Sequence, residues 1–191
     1  TFLLEGLKET KKTLAKRGIQ LVFRIGHPVR EVLDVGQKAS MIVCDRGYLK
    51  HQRAWRKEVS EIARCPVVQV ETDVVIPLEE VSDKAEYAAY TIRPKISRRL
   101  DQYLIPVDEV EVKHPSLRIS IEGAELENTK NTLRGLNIDD SIAPVSRVFK
   151  GGTSQAKARF DMFLDQHLSR YAAHRNQPKY LDVSCMSPYL H

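Results

Sequence analysis

Ser40-Met-Ile-Val-Cys-Asp45, then His51 to Ala63, then Val67-Val-Gln-Val70 is the stretch that decides the fold. Two short apolar runs flank a segment of helical length, so the order reads strand, helix, strand, with Ser40–Cys44 a short buried strand. Upstream, Val29 to Lys38 reads as a helix opened by Pro28, whose missing N–H costs nothing in a first turn. Before that, Ile19-Gln-Leu-Val-Phe-Arg-Ile25 reads as another strand, and Leu3, Leu4, Leu7 and Leu14 give an amphipathic helix closed at Gly18. Strands alternating with helices predict an α/β, Rossmann-like fold whose parallel sheet carries helices on its faces. Ligands in such folds lie beyond the carboxyl ends of the strands, which singles out the loops Gly26-His27-Pro28 and Asp45-Arg46-Gly47. By position Asp45 is the better site candidate of the two loops, and His27 before a proline is most simply a turn residue.

Further along, the texture changes. Residues 72–150 are broken by Pro77, Pro106, Pro115 and the acidic pair Asp139-Asp140, with helix-compatible pieces at Glu86–Tyr103, interrupted by Pro94, and at Glu122–Leu136. Gly151-Gly152 then opens a segment in which Phe160, Phe163, Leu164, Leu168 and Tyr171 recur at helical spacing, predicting one long amphipathic helix that ends near Asn176, before Pro178. The domain plan is therefore a partial α/β domain at 1–71, a linker with connecting helices at 72–150, and the start of a helical domain at 151–191.

Tyr171 and Arg175 are four apart, on one face of that helix. Taken singly, Tyr171 reads as a core tyrosine whose hydroxyl finds a partner, and Arg175 as a cation complementing the end of the helix dipole. The chain closes on Ser184-Cys-Met-Ser-Pro-Tyr-Leu-His191, where Ser187 before Pro188 reads as the N-cap of a following helix. An ordinary capping signal accounts for that spacing; so does a phosphate seat made of two hydroxyls and free backbone N–H groups.

Two of these stretches carry a resemblance. Tyr171-Ala-Ala-His-Arg175-Asn-Gln-Pro178 followed by Ser184 to His191 resembles the opening of the FAD-binding helical domain of the photolyase/cryptochrome superfamily. Glu71-Thr-Asp-Val-Val-Ile-Pro77 with Ser82-Asp-Lys-Ala-Glu-Tyr-Ala-Ala-Tyr-Thr-Ile-Arg-Pro-Lys-Ile96 is similar to the interdomain segment of class II cyclobutane pyrimidine dimer photolyases. The resemblance implies light-driven DNA repair, in which excited reduced FAD donates an electron to a flipped-out pyrimidine dimer and recovers it after the dimer splits. It implies that Tyr171, Val183, Ser184, Cys185, Met186 and Ser187 contact FAD, and that Arg175 faces the lesion, a role suited to a permanently charged guanidinium. It also implies an antenna chromophore of deazaflavin or folate type bordered by the loops of the α/β layer, double-stranded DNA containing a dimer as partner, and a monomeric full-length protein. Val183 and Cys185 depart from the residues usual at their positions, which shifts the expected contacts toward backbone N–H donors. Thr1 in place of Met, and a single tryptophan, Trp55, lead to the expectation of a fragment with no catalytic residue of its own, inactive without further helices.

Composition sets limits on the alternatives. A net charge of +5 is compatible with a polyanionic partner, and Arg93, Lys95, Arg98 and Arg99 crowd one short stretch. No apolar run approaches the roughly 20 residues that span a bilayer, so no membrane partner is expected and the localisation is intracellular: cytoplasmic in a prokaryote, nuclear or organellar in a eukaryote. Three cysteines without C-x-x-C spacing give neither a disulfide framework nor a zinc site. Scattered histidines supply no hydrolytic triad. Two other functions stay open: a cryptochrome-like flavin photoreceptor without repair activity, and a non-catalytic α/β nucleotide-binding domain.

Overall fold

The computed structural model describes residues 1–136, 138–139 and 141–189. They form two compact units: Gly26–Val110, and Thr1–Ile25 together with Glu111–His191.

In Gly26–Val110, helix α2 (Pro28–Val35) begins at its proline and ends in a 3₁₀ turn, Gly36–Lys38. Strand β1 (Ile42–Asp45), helix α3 (Lys50–Ile62) and strand β2 (Val67–Val70) follow, within a residue or two of the sequence expectation. β1 and β2 pair in parallel, Ile42 opposite Val67 and Asp45 opposite Val70, so α3 serves as the crossover that parallel pairing requires. α2 packs on α3, and Val29 and Val59 are buried. β1 departs from the buried strand expected. Its side chains alternate: Ile42 and Cys44 face Val29, Trp55 and Val59, while Val43 on the other face is 60 % exposed.

Beyond β2 come three short helices, α4 (Leu78–Val81), α5 (Ala89–Ser97) and α6 (Leu100–Tyr103). Pro94 does not interrupt the helix; it lies inside α5, and the break falls at Arg98–Arg99 instead. α5 is held from outside. Lys95 Nζ donates to Glu86 Oε1 at 2.5 Å and to Ser82 Oγ at 2.9 Å, and Ser82 Oγ donates to Glu86 Oε1 at 2.8 Å. Those bonds hold the Glu86 carboxyl down at about 2, with Lys95 the largest cause.

The other unit opens with α1 (Phe2–Lys16), whose end is set by Gly18. Gly18 takes φ +78°, so that Ile19 N–H reaches Leu14 O at 2.9 Å and Gly18 N–H reaches Ala15 O at 3.0 Å, the paired bonds of a glycine C-cap. Ile19–Ile25 is not the strand its composition predicts. It runs beside residues 116–124 through isolated bonds: Ser116 N–H to Gly18 O, Gln20 N–H to Ser116 Oγ, and Ala124 N–H to Phe23 O. A β-rich heptapeptide needs a regular partner edge to become a strand, and a partner with Pro115 at one end and side-chain bonds along it offers none.

Helix α7 (Thr129–Gly135) is shorter than the expected 122–136 because Asn128 caps it, its side chain accepting from Asn131 N–H at 3.2 Å. Leu126, 1 % exposed, is among the most buried side chains of this unit. Helix α8 (Thr153–Gln166) lacks a local cap and takes one from α1. Glu9 accepts from Ser154 N–H at 2.7 Å and Ser154 Oγ at 2.8 Å, and Glu5 accepts from Gly151 N–H at 2.8 Å. At Gly151 a Cβ would lie 1.9 Å from Phe2 O, so the close approach of α1 requires glycine there. α1, grouped by sequence with the 1–71 layer, thus packs against α8.

The expected single helix over 151–176 is two. It breaks at His167 (φ −121°, ψ −25°), after which α9 (Leu168–His174) continues to Arg175. The reason lies in what His167 binds.

Candidate functional site

α9 presents Tyr171 against the buried Phe163 of α8, ring edge to face with centroids 5.7 Å apart. Arg175, one turn on, sits with its guanidinium carbon 5.9 Å from the Tyr171 ring centre, so the shared face expected from their spacing is formed. Arg175 is exposed and Tyr171 half-buried, which leaves the guanidinium open to a partner from solvent.

The chain turns at Pro178 and returns to α9 at Asp182, a carboxylate only 6 % exposed. His167 Nδ1 approaches Asp182 Oδ1 at 2.6 Å, and His174 Nδ1 approaches Oδ2 at 2.5 Å. Arg170 adds a fork, Nη2 to Oδ1 at 3.0 Å and Nε to Oδ2 at 3.2 Å. An ionised carboxylate only accepts, so both imidazoles carry their proton on Nδ1. Arg170 first, then His167 and His174, hold the Asp182 carboxyl well below the ordinary carboxylate range. The His174 ring also stacks on Tyr180, centroids 3.8 Å apart at 13°. Sequence reading missed Asp182. Its signal was there: His167, Arg170 and His174 are spaced three and four apart and therefore share a helix face.

Immediately after Asp182 comes the run expected to meet FAD. Val183, Ser184, Cys185 and Met186 are half-buried and Ser187 is exposed. Cys185 takes φ +50°, a left-handed backbone conformation that kinks the run. At the far end Tyr189 pins the chain, its hydroxyl donating to Lys150 O at 2.9 Å and its ring 5.2 Å from that of Phe2. Ser187–Tyr189 form a 3₁₀ turn, and the helix expected to open at Ser187 runs into Leu190 and His191, which lie outside the described residues. Within the described residues the run offers hydroxyls and backbone N–H groups. Among the described residues no protein group hydrogen-bonds the hydroxyls of Ser184 and Ser187. That donor set has the chemistry to hold an anionic or hydroxyl-bearing group.

A cavity lies in the other unit, at the carboxyl end of β1. It is a cavity of about 330 Å³ lined by Val29, Ile42, Cys44, Asp45, Trp55 and Arg56 among others. Asp45, expected there, is committed in part, accepting from Thr72 Oγ1 at 2.7 Å. His27 and His51 set their rings edge-on to Trp55, at 6.4 Å and 4.8 Å. Among the described residues no cluster of His, Cys, Asp and Glu has the arrangement of a metal site, and no helix is long and apolar enough to cross a membrane.

Comparisons with known proteins bear on the family and the fold. The family described as DNA photolyase matches residues 1–115. Over its whole length the chain is 38 % identical to a deoxyribodipyrimidine photo-lyase of Methanothermobacter thermautotrophicus, covering 41 % of that protein. It is 32 % identical to the corresponding enzyme of Potorous tridactylus, again over the whole chain and 36 % of the relative. The chain thus spans about two fifths of the length of these curated relatives. Among solved structures, a class III photolyase from Agrobacterium tumefaciens superposes with a TM-score of 0.71 at 21 % identity, and a Synechocystis cryptochrome with 0.72 at 15 %. Each covers 99 % of this chain, and the chain covers 40 % of each. At those identities the likeness is one of fold: the photolyase amino-terminal α/β layer, with its parallel strands, followed by helices.

Proposed function

Because the chain belongs to the DNA photolyase family, we propose that it is part of a class II photolyase that repairs cyclobutane pyrimidine dimers in light. One observation carries the reading: α9 sets Tyr171 and Arg175 on one face, and Asp182 ties that helix to the kinked run Val183–Ser187. Bound FAD would supply the light-driven electron transfer that opens the dimer. The residues here do the holding. Tyr171 offers a ring face and hydroxyl, Ser184 and Ser187 offer hydroxyl donors, and backbone N–H groups of Val183, Cys185 and Met186 complete a seat for phosphates and the ribityl chain. Arg175, exposed and charged at every physiological pH, provides the contact to the lesion and its phosphates. We assign no catalytic residue within these 191 residues.

The cavity beside Trp55 is the place where an antenna chromophore of deazaflavin or folate type would sit. The partner is double-stranded DNA carrying a dimer, met by a monomeric protein inside the cell. These assignments extend what the relatives' names say.

The test is light-dependent repair of a thymine-dimer oligonucleotide by the full-length protein reconstituted with FAD, beside Arg175→Ala. Repair that drops at least tenfold in the variant supports both the activity and the role of Arg175. FAD uptake without repair would move the assignment to a cryptochrome-like photoreceptor, and no FAD uptake would sink the flavin reading.

A further inference from the structure

We propose that Asp182 is the positioning residue of this site, the group that sets the affinity for FAD by locking the Val183–Ser187 run to α9. The inference rests on the flavin reading above and goes beyond it, since Asp182 is not among the residues assigned to hold FAD.

The geometry is that of a joint with one solution. Both carboxylate oxygens are used, each by one imidazole Nδ1 and one guanidinium nitrogen, at 2.5–3.2 Å. All three donors come from His167 to His174, the residue at the α8–α9 break and two on α9. Turning α9 by one residue, about 100°, would carry the donors away from the carboxylate together. The same turn would move Tyr171 and Arg175, which ride on that helix between and beside those donors. One residue further along the chain from Asp182 the run begins, so the carboxylate fixes where its donors start relative to the Tyr171 ring. The break at His167 falls on one of these donors, whose Nδ1 lies 2.6 Å from Asp182. A buried carboxylate with fewer partners would be expensive; one with three charge-capable donors is stable and directional. A seat already in its binding arrangement gives up less conformational freedom when the ligand arrives, which raises affinity without a new contact.

The experiment compares the full-length protein with Asp182→Asn and Arg170→Lys. Asparagine keeps the size but replaces an oxygen with a donor facing donors, and lysine keeps the charge but loses the fork. Two quantities are read: the FAD dissociation constant by flavin fluorescence, and amide hydrogen exchange in the flavin-free protein. Asp182→Asn is expected to weaken FAD binding at least tenfold and to speed exchange at 183–187 at least tenfold, with exchange in α8 unchanged. Arg170→Lys is expected to do the same about threefold. Wild-type FAD affinity with unchanged protection of 183–187 in Asp182→Asn overturns the inference and leaves the flavin reading intact. Loss of protection spread equally over α8 and 183–187 also overturns it, since Asp182 would then be a stability residue and no more. If the wild-type protein takes up no FAD, the flavin reading fails, and with it the role of Asp182 in FAD affinity. Should Asp182→Asn fail to fold, Arg170→Lys and His174→Gln carry the same comparison.

Discussion

The two units are built on opposite plans. In Gly26–Val110 the defining bonds join near neighbours: β1 pairs with β2 across one helix, and the longest polar links, such as Arg46 to Glu79, span 33 residues. In the other unit the defining bonds join the two ends of the chain. Lys8 reaches Glu127, Gln20 reaches Ser116, and Glu5 and Glu9 reach Gly151 and Ser154, across 96 to 146 residues. Local bonds follow from short patterns and form early; distant ones need both partners in place and the loop between them closed. The candidate flavin run lies in the second kind of unit, so its shape depends on residues far from it.

The sharpest way to break that contrast is a cavity in each unit. Leu126→Ala is expected to cost about 3 kcal/mol and Val29→Ala about 2 kcal/mol, by urea denaturation of each variant. Leu126→Ala should loosen residues 1–25 and 111–189 together, seen as coincident proteolytic sensitivity, and protection retained at 1–25 would show the two ends to be independent. Arg175→Ala comes next: about a tenfold loss of affinity for dimer-containing DNA, roughly 1.4 kcal/mol, at unchanged melting temperature. Glu9→Ala removes the distant cap of α8 and is expected to cost about 1 kcal/mol, with faster exchange confined to Thr153–Ala156. The smallest effect belongs to the local unit. The Glu86 carboxyl is lowered in the folded protein from 4.5 to about 2, so its contribution is present above about pH 4.5 and fades as pH falls toward 2. Glu86→Gln should flatten that acid limb of the melting-temperature profile and leave the neutral limb nearly level.

The same contrast decides what could be read from sequence. β1, α3 and β2 were legible to within a residue or two, and α2 at its Pro28 start though not at its end, because period, proline and β-branched strands are local signals. Ile19–Ile25 has equally strong strand composition and is no strand, because residues 116–124 decide its partners. Apolar spacing carried the helix prediction straight through His167, where a carboxylate 15 residues downstream sets the break. Pro94 shows the reverse error: a proline read as a breaker sits within α5, whose flank is tied down by Lys95 and Glu86. Tyr171 and Arg175 were found because four-residue spacing is enough to pair them; Asp182 was missed because it meets its helix only after the chain has turned back.

The carboxylates on α1 also set a schedule. A ribosome makes Glu5 and Glu9 roughly 145 residues before the amides they cap, so over that interval the two acids lack these partners. At the usual pace of about 5–20 residues per second that interval lasts on the order of ten seconds, long compared with the forming of a helix. The acids of α1 are therefore in the chain well before α8 exists, and the cap of α8 forms only once the amides of Gly151 and Ser154 have followed them.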